Sequence, residues 1–347
     1  MTRPALSVLD LAPVAADATV GSALRDTIAV AREAERLGYH RFWVAEHHSM
    51  PGIASAAPSV LIGQIAAATE RIRVGSGGVM LPNHQPLVVA EQFGTLDALF
   101  PDRIDLGIGR APGTDQLTAH ALRGGRVEEK VEDFPQALAQ LRAFMSGSFP
   151  ADHPYAAIAA TPGIGAEPEI WLLGSSTFSA RLAAMLGLPF AFARHFAPQQ
   201  TLPALATYRE GFRPGGPDDQ SALGALERPY AMLTVTVVAA DTDAEAERVA
   251  APARLSMARL RTGSPGRLPT FEEAAATPLT DLQRSAIAPS SSAWITGSRD
   301  SVRDQLAELI ATTQPDELMI SGMIPGLRER VRSLELIAEA VAALPVS

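Results

Sequence analysis

The feature that most constrains the fold is a regular alternation of short apolar runs with longer helical repeats. Before Gly38, for example, apolar residues recur at positions 24, 28, 31 and 34, which is the spacing of one helix face. The strand-like runs are LSVLDL (6–11), RFWVA (41–45), IRVGSGG (72–78), RIDLGIG (103–109), EIWLLG (169–174), LPFAFA (188–193), YAMLTVTVVAA (230–240) and ELMISG (317–322). Strands and helices in alternation predict parallel β–α units.

About eight such units predict an α/β fold, a closed (β/α)₈ TIM barrel forming a single domain over residues 1–347. An open doubly wound sheet is the alternative, because periodicity does not show closure. A barrel of this kind needs about 250 residues, so this chain has a surplus. Pro/Gly-rich stretches at 213–220 and 261–278, and the aperiodic stretch 285–294, place a long insertion within 198–297. We expect it to lie near the C-terminal mouth of the barrel, as a lid.

Composition excludes several classes of function. The formal net charge of -9 and the pI near 5.3 argue against a general nucleic-acid binder. The absence of cysteine excludes disulfides, thiolate zinc sites and cysteine nucleophiles. The N-terminal residues lack the apolar region of a signal peptide, and no apolar run reaches the roughly 18 to 20 residues of a membrane span. We therefore expect a cytoplasmic protein with neither nucleic-acid nor membrane partners.

The residues at the ends of the strand-like runs are the candidates for chemistry, because active sites of such barrels form at the C-terminal ends of the strands. They are Glu46, His47 and His48; Gly77 and Gly78; Arg110; Gly174, Ser175, Ser176 and Ser179; and His195. Backbone N–H groups at a helix start, hydroxyl groups and an arginine together suit a phosphate. The alternative is that the glycines are ordinary turn residues and that Ser176 only caps a helix.

The adjacent histidines in WVAEHHSMPG (43–52) raise the question of a metal. Neighbouring residues on a strand point to opposite faces, and no HExxH or other histidine cluster accompanies the pair. A proton-handling histidine with a pKa near 6.5 is therefore favoured over a metal ligand. The second histidine either orients the first or packs sideways, and a loop histidine satisfied by backbone groups is the remaining alternative.

Four ordered blocks resemble the bacterial luciferase-like, flavin-dependent monooxygenases. They are AEHH (45–48), RIRVGSGGVMLPNHQPLVVAEQFGTLDALFPDRIDLGIGRAPG (71–113), WLLGSSTFSARLAAMLGLPFAFA (171–193) and WITGSRDSVRDQL (294–306). The resemblance implies a TIM barrel that binds FMN in its reduced form, FMNH₂. It also implies that O₂ reacts to give a flavin C4a-hydroperoxide, which oxygenates a small organic substrate.

The resemblance assigns roles to individual residues around the flavin ring. His47 matches the family histidine beside the ring, acting as a general base or stabilising the peroxide. Gly77 and Gly78 match the pair that is joined by a non-prolyl cis peptide under the ring. Gly174 and Ser175 match the residues that approach the flavin through their backbone.

The same resemblance predicts the phosphate and substrate contacts. Arg110, Ser176 and Ser179 match the phosphate-binding residues, and a second arginine is expected at either Arg123 or Arg126, which the sequence does not distinguish. The predicted substrate pocket contains Met50, Ile53, His84 and His195. For the first two the alternative is a place in the core, and for His84 it is a role in ordering its own loop.

The expected partners follow from what the chain lacks as well as from the resemblance. No GxGxxG motif with a downstream acidic residue is present, so we expect a separate NAD(P)H:flavin reductase to supply FMNH₂. A homo-oligomer is expected. Two alternative functions remain, an F420-dependent hydride-transfer oxidoreductase and a non-catalytic FMN-binding protein.

Overall fold

Eight parallel strands close into a barrel in the computed structural model, which describes residues 3–111, 113–125, 133–215 and 223–345. The described residues form nine strands, eight in the barrel and one short extension: β1 (Ala5–Asp10), β2 (Arg41–Val44), β3 (Arg73–Met80), β4 (Ile104–Gly109), β5 (Glu169–Gly174), β6 (Phe190–Ala193), β7 (Ala231–Ala239), β8 (Ile295–Gly297) and β9 (Glu317–Ser321). Strands β1 to β7 pair in chain order, and β9 closes the ring between β7 and β1. The short β8 only extends the end of β7. The predicted TIM barrel is confirmed.

Helices cover the outside of this barrel. They are α1 (Val20–Arg36), α2 (Pro58–Ala68), α3 (Pro86–Leu99), α4 (Gln116–Leu122), α5 (Phe134–Ser146), α6 (Thr177–Leu186), α7 (Thr201–Gly211), α8 (Asp243–Arg261), α9 (Phe271–Ala276), α10 (Asp281–Ser291), α11 (Arg299–Thr313) and α12 (Leu327–Ala342). Within the described ranges, no helix is both long and apolar enough to cross a membrane.

The segment between β7 and β8 contains the surplus residues, and most of it is helical. The stretch 285–294, for which the sequence shows no periodicity, lies largely in α10. This helix begins with a capping box, in which Thr280 accepts from the Gln283 N–H and the Gln283 side chain accepts from the Thr280 N–H. Its serines and the internal Pro289 obscure the apolar repeat.

Part of this segment packs onto the C-terminal mouth of the barrel, as expected. The Leu268 N–H donates to the Val14 carbonyl (2.9 Å), and the Ala16 N–H donates to the Leu268 carbonyl (2.8 Å). A Cβ atom at Gly52 would lie only 2.8 Å from the carbonyl oxygen of Gly266. The segment therefore contacts the loops that follow β1 and β2.

The N-terminal end of the barrel interior is filled by buried charges around Arg41. The guanidinium donates to Asp105 (3.0 Å), Glu169 (2.7 Å) and both oxygens of Glu317 (3.1 Å). Burial alone would lower the pKa of Arg41, but the charges of Asp105, Glu317 and Glu169 raise it well above its ordinary value. These ion pairs link β2 to β4, β5 and β9.

Above this layer, the middle of the barrel is filled by two tryptophans. The Trp43 indole N–H donates to Asp105 (2.8 Å), and its ring packs edge-on against Trp171 with centroids 5.3 Å apart. A Cβ at Gly75 would lie 2.8 Å from Nε1 of Trp43, and one at Gly77 would lie 3.2 Å from its ring. The volume of Trp43 therefore requires glycine at positions 75 and 77 of the neighbouring strand β3.

We expect Arg41→Ala to lower the free energy of unfolding by about 3–5 kcal/mol, because it leaves the buried carboxylate of Glu317 without its cation and removes one of the two cations that contact Asp105. Urea denaturation followed by circular dichroism measures this change. The matched control is Arg36→Ala, since Arg36 forms ion pairs on the surface with 57% of its side chain exposed. The control should unfold almost as the wild type does. Equal effects of the two substitutions would contradict a special role for the buried ion pairs.

Candidate functional site

The ends of β3 and β4 form a floor without side chains at the mouth of the barrel. The peptide bond between Gly77 and Gly78 is cis, which confirms the expectation from the resemblance. A Cβ at Gly77 would lie 2.6 Å from Leu9, and one at Gly78 would lie 2.7 Å from the carbonyl oxygen of Gly107. Only glycine fits at these two positions, so a flat group can approach the backbone closely there.

His47 follows β2, which pairs with β3, so it lies at the strand end next to this floor. Its Nδ1 atom is buried and has no hydrogen-bond partner in the described part of the protein. Burial lowers the pKa of His47, the charge of Glu46 opposes that shift, and the charge of His48 adds to it. The imidazole is therefore neutral near pH 7 and can accept a proton or bind a ligand atom.

His195 lies past the end of β6 and, like His47, has a buried Nδ1 and a lowered pKa. Its Nδ1 is also buried and without a partner among the residues that the structure describes. Burial lowers the pKa of His195 to about 4; a hydrogen bond with the Thr234 backbone opposes this shift, and the charge of His47 adds to it. The effect of His47 on the pKa of His195 places the two imidazoles in the same region of the barrel mouth.

The predicted phosphate-binding residues meet at the start of α6. Ser176 is the N-cap of this helix, yet its side chain forms no capping hydrogen bond. A Cβ at Gly174 would lie 2.4 Å from Cβ of Ser179, so the backbone there packs directly on the helix. The Arg110 guanidinium lies 4.3 Å from the ring centre of Phe178, on the same turn. Free N–H groups beside a cation suit an anion.

Glu46, one of the strand-end candidates, is a site residue to which the sequence analysis assigned no role. Its carboxylate is fully buried and accepts hydrogen bonds from Nε2 of His48 (2.9 Å), Nε2 of His84 (2.9 Å) and the Met80 N–H (2.9 Å). Burial would raise the pKa of Glu46, but these three donors and the charge of His84 lower it overall. The signal was present, because residues two apart on a strand share a face, which places Glu46 and His48 opposite His47.

The second phosphate-binding arginine stays a prediction. Arg123 is only 3% exposed, and its Nε donates to Oδ1 of Asn83 (3.0 Å), which places it beside the Glu46 carboxylate. Burial lowers the pKa of Arg123. Arg126 lies outside the described residues. No group of three or more histidine, aspartate or glutamate side chains within the described ranges has the arrangement of a metal site.

The remaining predicted residues lie around the rim of the mouth. The Ile53 N–H donates to the Met50 carbonyl (3.1 Å) in a turn, and Ile53 pairs with Pro13 of the loop after β1. Both side chains are half-buried. Ser175 is exposed just before α6. His84 is partly exposed and is held by Glu46, so the structure brings it into the Glu46 group.

Sequence comparisons match nearly the whole chain. The family model described as luciferase-like monooxygenase matches residues 5–315. A luciferase-like monooxygenase of Escherichia coli (strain K12) is 43% identical over 332 residues, which cover 96% of this chain and 95% of that protein. An N-acetyl-S-alkylcysteine monooxygenase of Bacillus subtilis (strain 168) is 36% identical over 338 residues, covering 97% of this chain and 98% of that protein.

Structural comparisons agree with the sequence matches. The crystal structure of apo-MsnO8 superimposes with a TM-score of 0.86 at 42% identity, over 99% of this chain and 100% of that one. Two more distant structures show the shared fold alone. One is the oxygenating constituent of a 3,6-diketocamphane monooxygenase in complex with FMN, covering 98% of each chain (20% identity, TM-score 0.70). The other is an F420-dependent secondary alcohol dehydrogenase, covering 98% of this chain and 99% of that one (14% identity, TM-score 0.66).

The low pKa of His195 predicts a pH dependence of stability. In the unfolded chain His195 becomes protonated near pH 6.5, whereas in the folded protein it becomes protonated only near pH 4. The stability that the neutral, buried imidazole allows is therefore fully present above pH 6.5 and is lost as the pH falls from 6.5 to 4. When the pH is lowered from 7 to 4.5, we expect the free energy of unfolding to fall by about 2 kcal/mol more in the wild type than in His195→Gln. Urea denaturation at each pH measures this difference. His40→Gln, at an exposed position, is the control; a His195→Gln curve parallel to the wild type would contradict the shift.

Proposed function

This chain belongs to the luciferase-like monooxygenase family, and we propose that it is an FMN-dependent monooxygenase that uses FMNH₂ and O₂ to oxygenate a small organic substrate. One observation carries the proposal. The buried Nδ1 of His47, without a partner among the described residues, lies at the strand end next to the glycine floor of Gly77 and Gly78. A polar atom left unpaired at such a depth costs stability unless a ligand satisfies it.

The residues of the mouth fit FMN in its two parts. The isoalloxazine ring is flat, and the positions where a Cβ would collide with the barrel provide a floor for a flat group. The phosphate is an anion, and the start of α6 with Ser176, Ser179 and Arg110 supplies N–H groups, hydroxyls and a cation. In a protein with a net charge of -9, that local positive charge is what an anionic cofactor needs.

Bound FMNH₂ supplies the two electrons with which O₂ is activated, so that one oxygen atom enters the substrate and the other leaves as water. His47 is neutral near pH 7 because burial lowers its pKa, and its Nδ1, unpaired among the described residues, can therefore take or return a proton during oxygen transfer. The turn at Gly266 to Leu268 packs across the loops after β1 and β2 and limits the entry of water on that side.

The named relatives support oxygenation over the two alternatives, F420-dependent hydride transfer and non-catalytic flavin binding. The B. subtilis relative acts as an N-acetyl-S-alkylcysteine monooxygenase by its name, so thioethers with an N-acetylated amino acid are the first substrates to test. We also propose that a separate NAD(P)H:flavin reductase supplies FMNH₂ and that the protein forms a homo-oligomer.

Titration with cofactors tests the proposal directly. We expect FMN and FMNH₂ to bind with dissociation constants in the micromolar range or below, followed by quenching of flavin fluorescence and by anaerobic equilibrium dialysis. The same titration with F420 should show binding at least tenfold weaker. Tight binding of F420 with no binding of FMNH₂ would favour the hydride-transfer alternative.

Substitution of His47 separates binding from chemistry. We expect His47→Gln to bind FMNH₂ within a few-fold of the wild type, but to oxygenate substrate at least 10²-fold more slowly, the lower end of a general acid–base contribution. Turnover is measured with FMNH₂ supplied by a reductase and O₂ in excess. The matched control is His40→Gln, an exposed histidine at the opposite end of β2. A His47→Gln enzyme as fast as this control would remove His47 from the chemistry.

A further inference from the structure

The carboxylate of Glu46 is a buried charge beside His47 that the proposed chemistry does not use. It is 0% exposed, and it joins three separate parts of the mouth. Oε1 accepts from Nε2 of His48 and of His84, both at 2.9 Å. Oε2 accepts from the Met80 N–H at 2.9 Å, just after the glycine floor. An ionised carboxylate costs much energy to bury, and several donors directed at it offset that cost.

An ionised carboxylate can only accept hydrogen bonds, which fixes the protons on its partners. The two imidazoles must both donate from Nε2. In a neutral imidazole, that leaves Nδ1 of His84 and His48 as an acceptor directed away from Glu46. One carboxylate therefore sets the tautomer and the ring position of both histidines.

Glu46 also holds the backbone on both sides of His47. Side chains alternate in direction along an extended chain, so Glu46 and His48 are tied on one face while His47 projects from the other. The His47 N–H donates to the Ser55 carbonyl (3.1 Å), and the His48 N–H donates to the carbonyl of Gly113 (3.3 Å). With Met80 on β3, these contacts join the ends of β2, β3 and the loop after β4.

We propose that Glu46 is a positioning residue of the cofactor site, whose carboxylate keeps Nε2 of His48 and His84 protonated and holds His47 against the glycine floor. The part of this inference that concerns the cofactor rests on the proposed function. The part that concerns the two imidazoles does not, since the hydrogen bonds are made within the protein alone.

The tautomers can be read in the wild-type protein without any cofactor. Long-range ¹H–¹⁵N spectra of protein labelled at its seven histidines, assigned with single His→Gln variants, show which ring nitrogen carries the proton. We expect Nε2 of both His48 and His84 to be protonated at pH 7.5. An Nδ1–H tautomer at either residue would overturn the proposal.

Glu46→Gln then tests the cause of the tautomers. The Met80 N–H is always a donor, so the amide introduced by this substitution must present its oxygen to Met80 and its NH₂ group to His48. His48 must then accept, and its proton should move to Nδ1 in the spectra. Nε2 of His84 also lies 3.0 Å from the oxygen that faces Met80 and can keep donating there. Unchanged spectra in a folded Glu46→Gln protein would overturn the proposal. If that protein does not fold, His84→Gln replaces it; its amide can donate to Glu46, so His48 should keep its Nε2 proton, and loss of that proton would overturn the proposal.

The affinity for FMN gives the second readout. We expect Glu46→Gln to raise the dissociation constant for FMN about tenfold, because it removes charge-assisted hydrogen bonds that hold the site. Glu70→Gln is the matched control, since the side chain of Glu70 is 84% exposed, and it should bind FMN as the wild type does.

The proposed function and the positioning role of Glu46 can be contradicted separately. A wild type that binds no FMN but has both Nε2 protons contradicts the function alone. A Glu46→Gln protein with wild-type affinity contradicts the positioning role alone.

Discussion

The structure depends on how the inside of the barrel is filled, and the buried guanidinium of Arg41 begins that filling. It ties β2 to the carboxylates of β4, β5 and β9, and Glu317 continues the network to Ser7 of β1. Strands in a closed barrel tilt, and residues from alternate strands meet in layers along the axis. A charged layer holds these strands in one register because each ion must find its partners to be buried at all. Asp105 then orients the indole of Trp43 in the next layer.

The cofactor floor is a consequence of this packing as much as a requirement of chemistry. Trp43 and Trp171 occupy the middle of the barrel, and the residues facing them on β3 have no room for a side chain. The layer above is therefore bare backbone, formed by Gly77 and Gly78 with Gly107 beside them. A flat ring can lie on such a surface, whereas any larger residue there would collide with the barrel core before it met a ligand.

Periodicity was enough to predict the strands, because strands buried on both sides are continuous apolar runs, and all eight barrel strands lie where those runs are. It failed for α10, whose Pro289 and serines leave no apolar repeat. The ion pairs of Arg41 could not be predicted, since they join residues up to 276 positions apart that only the closed barrel brings together. The cis bond between Gly77 and Gly78 came from the resemblance and not from spacing. Glu46 stands among the strand-end candidates in the sequence, but its role depends on His84 and Met80, which only the fold brings to its carboxylate.

Burial has opposite outcomes for the ionisable groups of the mouth, and hydrogen-bond donors explain the difference. Burial favours the neutral form of every group. For His47 and His195 little opposes it, so the pKa of each falls and both imidazoles stay neutral, with an Nδ1 that has no hydrogen-bond partner among the residues that the structure describes. Glu46 is buried as deeply, but His48, His84 and the Met80 N–H supply donors that reverse the effect, and its pKa falls below the ordinary value of a carboxyl. The mouth of the barrel thus keeps one anion fixed by its donors while leaving the imidazoles of His47 and His195 neutral. A residue that exchanges protons during a reaction needs a ring nitrogen without a fixed partner. A residue that holds others in place needs a fixed charge and several hydrogen bonds.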